Sequence, residues 1–336
     1  MQKRSKAEAR RGILLCLFIL GLITAVIVVP YQFGSAAAQK GLYTRTVSAE
    51  PGLPNYDIRR DKQDSSIDFM EVARNSIGKN AVAVADVRDA FVRGEEHLKA
   101  SVPTLRIDYN DDIRIPEIIG PDVLKGRAFL TSATTAAGTK HAGVLIDFLK
   151  QNNDLIGAST SQIDGLRVFA DYTNPDGNLS WVELDQEING IPVFRGEIKA
   201  GFTKQGELIR VINNFAPGLD YGSLSQAFGD PASALKAAAA NVNFDLSKVG
   251  TQRNDAASTD LKVVFGTGDS VPTAEKMYFP TEPGVARAAW RVLIYKDVAA
   301  YYVVVDAETG TILWRKNIVN DQTQSATYSV YAMLTH

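Results

Sequence analysis

Residues 181–213 read WVELDQEINGIPVFRGEIKAGFTKQGELIRVIN. Within them, residues 181–188, 191–202 and 207–213 alternate apolar and polar side chains. That is the pattern of a half-buried antiparallel sheet, where successive side chains point to opposite faces. Asn189-Gly190 and Gln205-Gly206 fall at the two breaks, where tight hairpins want positive φ. Pro192 has no amide hydrogen to give a ladder, so it belongs at a strand start or an edge. On this reading Gly190 and Gly206 are turn residues, and Val193, Phe194, Ile198 and Val211 pack a sheet face.

Upstream, residues 139–151 predict an amphipathic helix: Val144, Leu145, Phe148 and Leu149 recur at helical spacing, and Asn152-Asn153 ends it. Residues 167–172 read as a strand that turns at Asn174-Pro175-Asp176-Gly177. Residues 67–77 and 82–98 are helical by spacing, with Val84, Val87, Phe91 and Leu98 on one face and Gly94 as an interruption. Leu105, Ile107 and Tyr109 alternate as a short strand, Asn110-Asp111-Asp112 turns, and Ile118-Ile119-Gly120-Pro121 closes the segment. Residues 39–66 are polar with scattered Pro and Gly, which predicts an exposed leader with little packed structure.

Downstream, the Gly-, Ser- and Pro-rich residues 215–228 mark a domain boundary. Asp230-Pro231 opens an alanine-rich helix, with Asp as N-cap and Pro in the first turn. Residues 246–260 read as a loop. Four strand-like runs follow, at 261–265, 276–280, 288–295 and 300–305, and a turn at residues 306–310 leads into a last strand over 311–317.

The motif Gln186-x-x-Asn189-Gly190-Ile191-Pro192-Val193-Phe194-x-Gly196 resembles the fungalysin/thermolysin propeptide (FTP) domain, which precedes the catalytic domain in secreted zinc metalloproteases. Trp290-Arg291-Val292 together with Val305-Asp306-Ala307-Glu308-Thr309-Gly310-Thr311-Ile312-Leu313 resembles the PepSY-type module that follows it. The fold expected is α+β: two consecutive modules, FTP and PepSY/cystatin-like, each an antiparallel sheet with a helix against one face. The expected division is a signal peptide at 1–38, an N-terminal propeptide region at 39–130, partly helical and partly disordered, and an FTP domain at 131–215. A PepSY-like domain at 230–318 and a propeptide/mature junction at 319–336 complete it.

The signal peptide rests on its own pattern. Lys3, Arg4, Lys6, Arg10 and Arg11 precede an apolar run at residues 13–29, Pro30 ends it, and Ser35-Ala36-Ala37-Ala38 is a small-residue cleavage site. An uncleaved signal anchor at 13–29 is the alternative. Either way the bulk of the chain is secreted or extracytoplasmic. Residues 1–38 hold five of the chain's 36 basic and one of its 38 acidic side chains, so 31 against 37 remain, a net charge of −6. Such a surface does not favour phosphate backbones, so no nucleic-acid partner is expected. The only cysteine, Cys16, lies in the apolar run, so the rest has no disulfide and no thiol nucleophile.

Catalytic chemistry is not expected. A metalloprotease of this family needs His-Glu-x-x-His, and His97, His141 and His336 are far apart in sequence. Asn174-x-Asp176-Gly177 with Glu183 imitates part of an EF-hand loop, but Tyr172 stands at the leading position and the flanks read as strands. The chain is therefore expected to hold no cofactor, zinc and calcium belonging to a catalytic domain outside it. The resemblance implies a propeptide that binds the catalytic domain of a fungalysin-like metalloprotease as inhibitor and intramolecular chaperone. The alternative is a stand-alone exported FTP/PepSY protein that modulates extracellular proteases. Candidate partner-binding residues are those of the motif: Gln186, Gly190, Ile191, Pro192, Val193, Phe194 and Gly196. Strand edges at residues 191–194 and 311–315 are candidates for adding a partner strand. Ser325 ends a polar, turn-prone stretch, and Ala326, Thr327 and Tyr328 open an Ala-Thr-Tyr-x-Val-Tyr run that resembles the family's processing junction. The pattern departs from the family at Ala332, which fits a truncated chain, a degenerate gene or a prodomain acting alone.

Overall fold

The computed structural model describes residues 52–126, 128–133, 140–296 and 299–319. The expected signal peptide and the junction residues Ser325, Ala326, Thr327 and Tyr328 lie outside the described residues. In chain order the elements are β1 (Tyr56–Asp57), α1 (Asp64–Asn75), α2 (Ala81–Ser101), β2 (Leu105–Tyr109), β3 (Pro116–Pro121), α3 (His141–Gln151), α4 (Asn153–Ile156) and α5 (Thr160–Asp164). Then come β4 (Arg167–Thr173), β5 (Leu179–Ile188), β6 (Ile191–Thr203), β7 (Leu208–Asn213), α6 (Pro231–Asn241), β8 (Lys262–Val264), β9 (Thr273–Glu282), β10 (Val285–Tyr295), β11 (Ala300–Asp306) and β12 (Ile312–Asn317).

The architecture is α+β, with two antiparallel sheets. In the first, β4, β5, β6, β7, β3 and β2 pair in that order. Its inner face packs Val182, Leu184, Ile198, Ala200, Phe202 and Val211 against Leu145, Phe148 and Leu149 of α3. In the second, β9, β10, β11 and β12 form a meander with β8 on its flank, and α6 covers one face through Leu235, Ala238 and Ala239. Asp230 caps α6 as expected, accepting from the amides of Ala232 and Ser233.

β6 belongs to both sheets. Its C-terminal part pairs with β7, while near its start Val193 pairs in parallel with Tyr278 of β9. Successive side chains point to opposite faces, so Val193 enters the core under α6 and Phe194 the core on the other side of β9 and β10.

Four sequence expectations are corrected. Of residues 39–66, expected to be an exposed leader, 52–66 are described, and there Tyr56 and Asp57 pair with Arg315 and Trp314 of β12, and Ile58 is buried with Phe194, Phe279 and Leu313. The polar composition hid this because a two-residue strand and one buried Ile leave no periodic signal. Gly94 does not interrupt a helix: α2 runs through it, and a Cβ there would collide with the Leu155 backbone, so glycine permits the close approach of α4. Residues 118–121 do not merely close a segment, because β3 lies between β2 and β7. Both strand edges expected to be open are occupied: residues 191–194 lie between β5 and β9, and β12 lies between β11 and β1. The connection at 215–228 is packed as well, with Phe215, Ala216, Leu219, Leu224 and Phe228 buried and the Phe228 carbonyl accepting from the Trp290 indole.

Candidate functional site

The motif residues build the place where the chain passes between sheets. Asn189 and Gly190 both have positive φ and form the expected tight hairpin. Gln186 is 1% exposed; its Oε1 accepts from the Ala216 amide at 2.8 Å, and its Nε2 donates to the Ala216 carbonyl and the Tyr221 hydroxyl. Arg195 has φ +54°, and a Cβ at Gly196 would lie 2.8 Å from Val193 Cβ and 3.1 Å from Gln186 Cβ. Gln186, Val193, Phe194 and Gly196 are therefore buried scaffold, out of reach of a partner, and Ile191 is half-buried. Gly190 and Pro192 remain exposed. The motif's physical role is to redirect β6, with Gln186 replacing the strand pairing lost there.

Beside this turn lies a junction of arginines and aspartates. The Arg59 guanidinium sits 4.8 Å from the Phe279 ring centroid and 5.8 Å from that of Phe194. It pairs with Asp57 at 2.6 Å and Asp112 at 3.0 Å, and donates to the Pro280 carbonyl. Arg195 reaches Asp112 at 3.4 Å and lies over Phe194 and Trp314, while Arg60 pairs with Asp111. Burial, with Asp112 nearby, raises the Glu117 carboxyl above the ordinary range despite Arg195. A cleft of about 520 Å³ opens here, lined by Asn55, Asp57, Asp61, Asp112, Arg195 and Lys316. Sequence reasoning missed this cluster because its members come from five distant segments, around residues 55–61, 111–117, 194–195, 279–280 and 314–316.

The first sheet's outer face carries a second feature. Arg167 bridges Asp185 and Glu187, each at 2.5 Å, and Lys199 bridges Glu183 and Glu197 at 3.4 and 3.2 Å. Burial raises the Asp185 carboxyl; Arg167 opposes this, and Glu183, Glu197 and Glu187 add to it.

His97 is exposed on α2. His141 starts α3, with Nδ1 3.6 Å from Asp171 and its ring 5.0 Å from that of Phe202. Residues 174–179 form a hairpin turn in which Asn174 Oδ1 accepts from the amides of Asn178 and Leu179, and Glu183 is engaged by Lys199. Among the described residues no three His, Cys, Asp or Glu side chains converge as metal ligands would. What the geometry offers is recognition: clefts, an acid-rich face and strand edges.

The strands and turns of this sheet correspond to a known sequence pattern, whose model matches residues 164–215. That pattern is the fungalysin/thermolysin propeptide motif. The FTP segment thus runs from the end of α5 to Phe215, and its β6 is the strand shared by both sheets. The chain is similar to the extracellular metalloproteinase mep of Aspergillus terreus, 28% identical over 170 residues, which is 49% of this chain and 26% of that protein. It is also similar to extracellular metalloproteinase 3 of Arthroderma gypseum (24% identical, 52% of this chain, 28% of that protein) and of Trichophyton equinum (25%, with the same coverage). The chain spans about a quarter of the length of these relatives. Among solved structures, the C-terminal domain of Bacillus megaterium YpeB matches with TM-score 0.28 and 10% identity, covering 64% of this chain and 76% of that one. Among the described residues no helix is long and apolar enough to cross a membrane, and the apolar run at 13–29 lies outside them.

Proposed function

We propose that this protein acts as a metalloprotease propeptide: it binds the catalytic domain of a fungalysin-like enzyme, holds it inactive, and assists its folding. The observation that carries this reading is the FTP motif match at residues 164–215, together with the similarity of about half the chain to extracellular metalloproteinases. On this reading the second sheet is a PepSY-like module and residues 1–38 direct export. The segment at Ser325, Ala326, Thr327 and Tyr328 is the one cut on maturation, and zinc and calcium belong to the catalytic domain. Inhibition requires only that folded sheets cover a cleft in the enzyme. Folding assistance requires preferential binding to the enzyme's late folding transition state, which lowers a kinetic barrier and leaves the product unchanged.

The test is to add the purified chain to the mature Aspergillus terreus enzyme and follow peptide hydrolysis, and to repeat refolding of the denatured enzyme with and without it. The expected results are slowed hydrolysis and faster recovery of activity. No effect on either at micromolar concentration overturns the reading.

A further inference from the structure

We propose that the open edge of β4, with the adjoining outer face of β5 and β6, is the surface on which this protein docks an extended, basic segment of its partner protein. The inference rests on the propeptide reading and adds to it where contact is made and with what chemistry. Four observations converge on this corner. β4 pairs with β5 on one side, and among the described residues no strand pairs with its other side, leaving backbone groups that only another extended chain matches along their length. Phe169, Tyr172 and Leu179 are exposed large apolar side chains on this hairpin, and Phe169 is the residue that a bulge between Val168 and Ala170 pushes out of register. Exposed aromatics of this kind are the usual anchors of protein interfaces. A cleft of about 590 Å³ runs along the same edge, lined by Lys140, His141, Val168, Asp171, Tyr172 and Thr173. β4, Arg-Val-Phe-Ala-Asp-Tyr-Thr, carries neither Lys nor Pro, two of the devices that blunt edge strands.

Charge selects the occupant. On the outer face four carboxylates, Glu183, Asp185, Glu187 and Glu197, share two cations, Arg167 and Lys199, each bridging two acids. The acids thus outnumber the cations by two beside the aromatic strip. The Arg167 guanidinium lies 5.5 Å from the Phe169 ring centroid, which places aromatic and acidic features on one side. A partner strand with Lys or Arg next to apolar residues satisfies both, whereas an acidic strand meets like charge.

The probe is the mature Aspergillus terreus metalloproteinase, its binding to the full chain measured by calorimetry at low and physiological salt. Replacing both Phe169 and Tyr172 with Ser is expected to weaken binding about tenfold or more. Glu187→Lys, a change at a half-buried rung that leaves the apolar strip intact, is expected to weaken binding and flatten its salt dependence. Leu124→Ser, which alters an exposed apolar side chain elsewhere, is expected to leave binding unchanged. If the parent binds and both the Ser pair and Glu187→Lys bind equally tightly, the docking surface is wrong while the propeptide reading stands. If the parent does not bind, the propeptide reading fails and this inference with it.

Discussion

The side chain of Gln186 and the backbone of Ala216 exchange two hydrogen bonds, amide to Oε1 at 2.8 Å and Nε2 to carbonyl at 3.2 Å, as two paired strands would. They are 30 residues apart, and both are 1% exposed. Gln186→Leu keeps the volume and deletes both partners, leaving the Ala216 amide and carbonyl buried and unpaired. The expected loss of stability is about 2–4 kcal/mol, read from urea unfolding.

Two glycines of the motif are required for different reasons, and alanine separates them. At Gly196 a methyl group meets Val193 and Gln186, so Gly196→Ala should cost about 1–3 kcal/mol by overpacking. At Gly190 the space is open but φ is +77°, so Gly190→Ala should cost about 1 kcal/mol through the backbone alone. Val193→Gly removes the Cβ that crowds the first and leaves the second as it was. A double-mutant cycle should therefore show coupling with Gly196 and none with Gly190.

Arg59 joins the N-terminal strand to the turn of β6, its guanidinium over the Phe279 ring and paired with Asp57 and Asp112. Arg59→Lys keeps the charge but loses the guanidinium's contact with the ring and its forked donors. It should cost about 1–2 kcal/mol and speed hydrogen exchange first in residues 56–61.

Legibility followed locality. The hairpins of β5, β6 and β7 were readable because each strand alternates and each break carries a residue suited to positive φ. Asp230-Pro231 announced α6 for the same reason. What sequence could not yield depends on distant partners. Tyr56 and Asp57 become a strand only because β12 offers its edge, and Gly94 looks like a helix breaker until α4 lies against it. Asp306 read as a turn residue; it does hold the turn, accepting from the amides of Glu308 and Thr309, but it is also 1% exposed and paired with Arg287. The motif was visible as a pattern, yet its job of passing β6 between sheets required both sheets to be seen.

The last prediction concerns two acidic residues whose shifts have opposite signs. Burial alone would raise the Glu275 carboxyl, but Arg291 and Lys262 hydrogen-bond to it and bring it below the ordinary glutamate range. A lowered folded-state pKa means stability that is present above the unfolded value and lost as pH falls through the folded one. Glu275→Gln should therefore be less stable than the parent at neutral pH, and the gap should close in acid below the ordinary glutamate range. Asp185 is the reverse case: burial and its acidic neighbours raise it, so the parent gains relative stability as the group is protonated and loses it as pH rises through the raised value. Asp185→Asn should match or exceed the parent's stability at neutral pH, the difference vanishing below the ordinary aspartate range. Urea unfolding across the acid limb reads both signs. If Asp185 is kept charged for docking, the same substitution that relieves the isolated fold should weaken binding of the basic partner segment, the trade-off expected where a surface is shaped by recognition and not by stability.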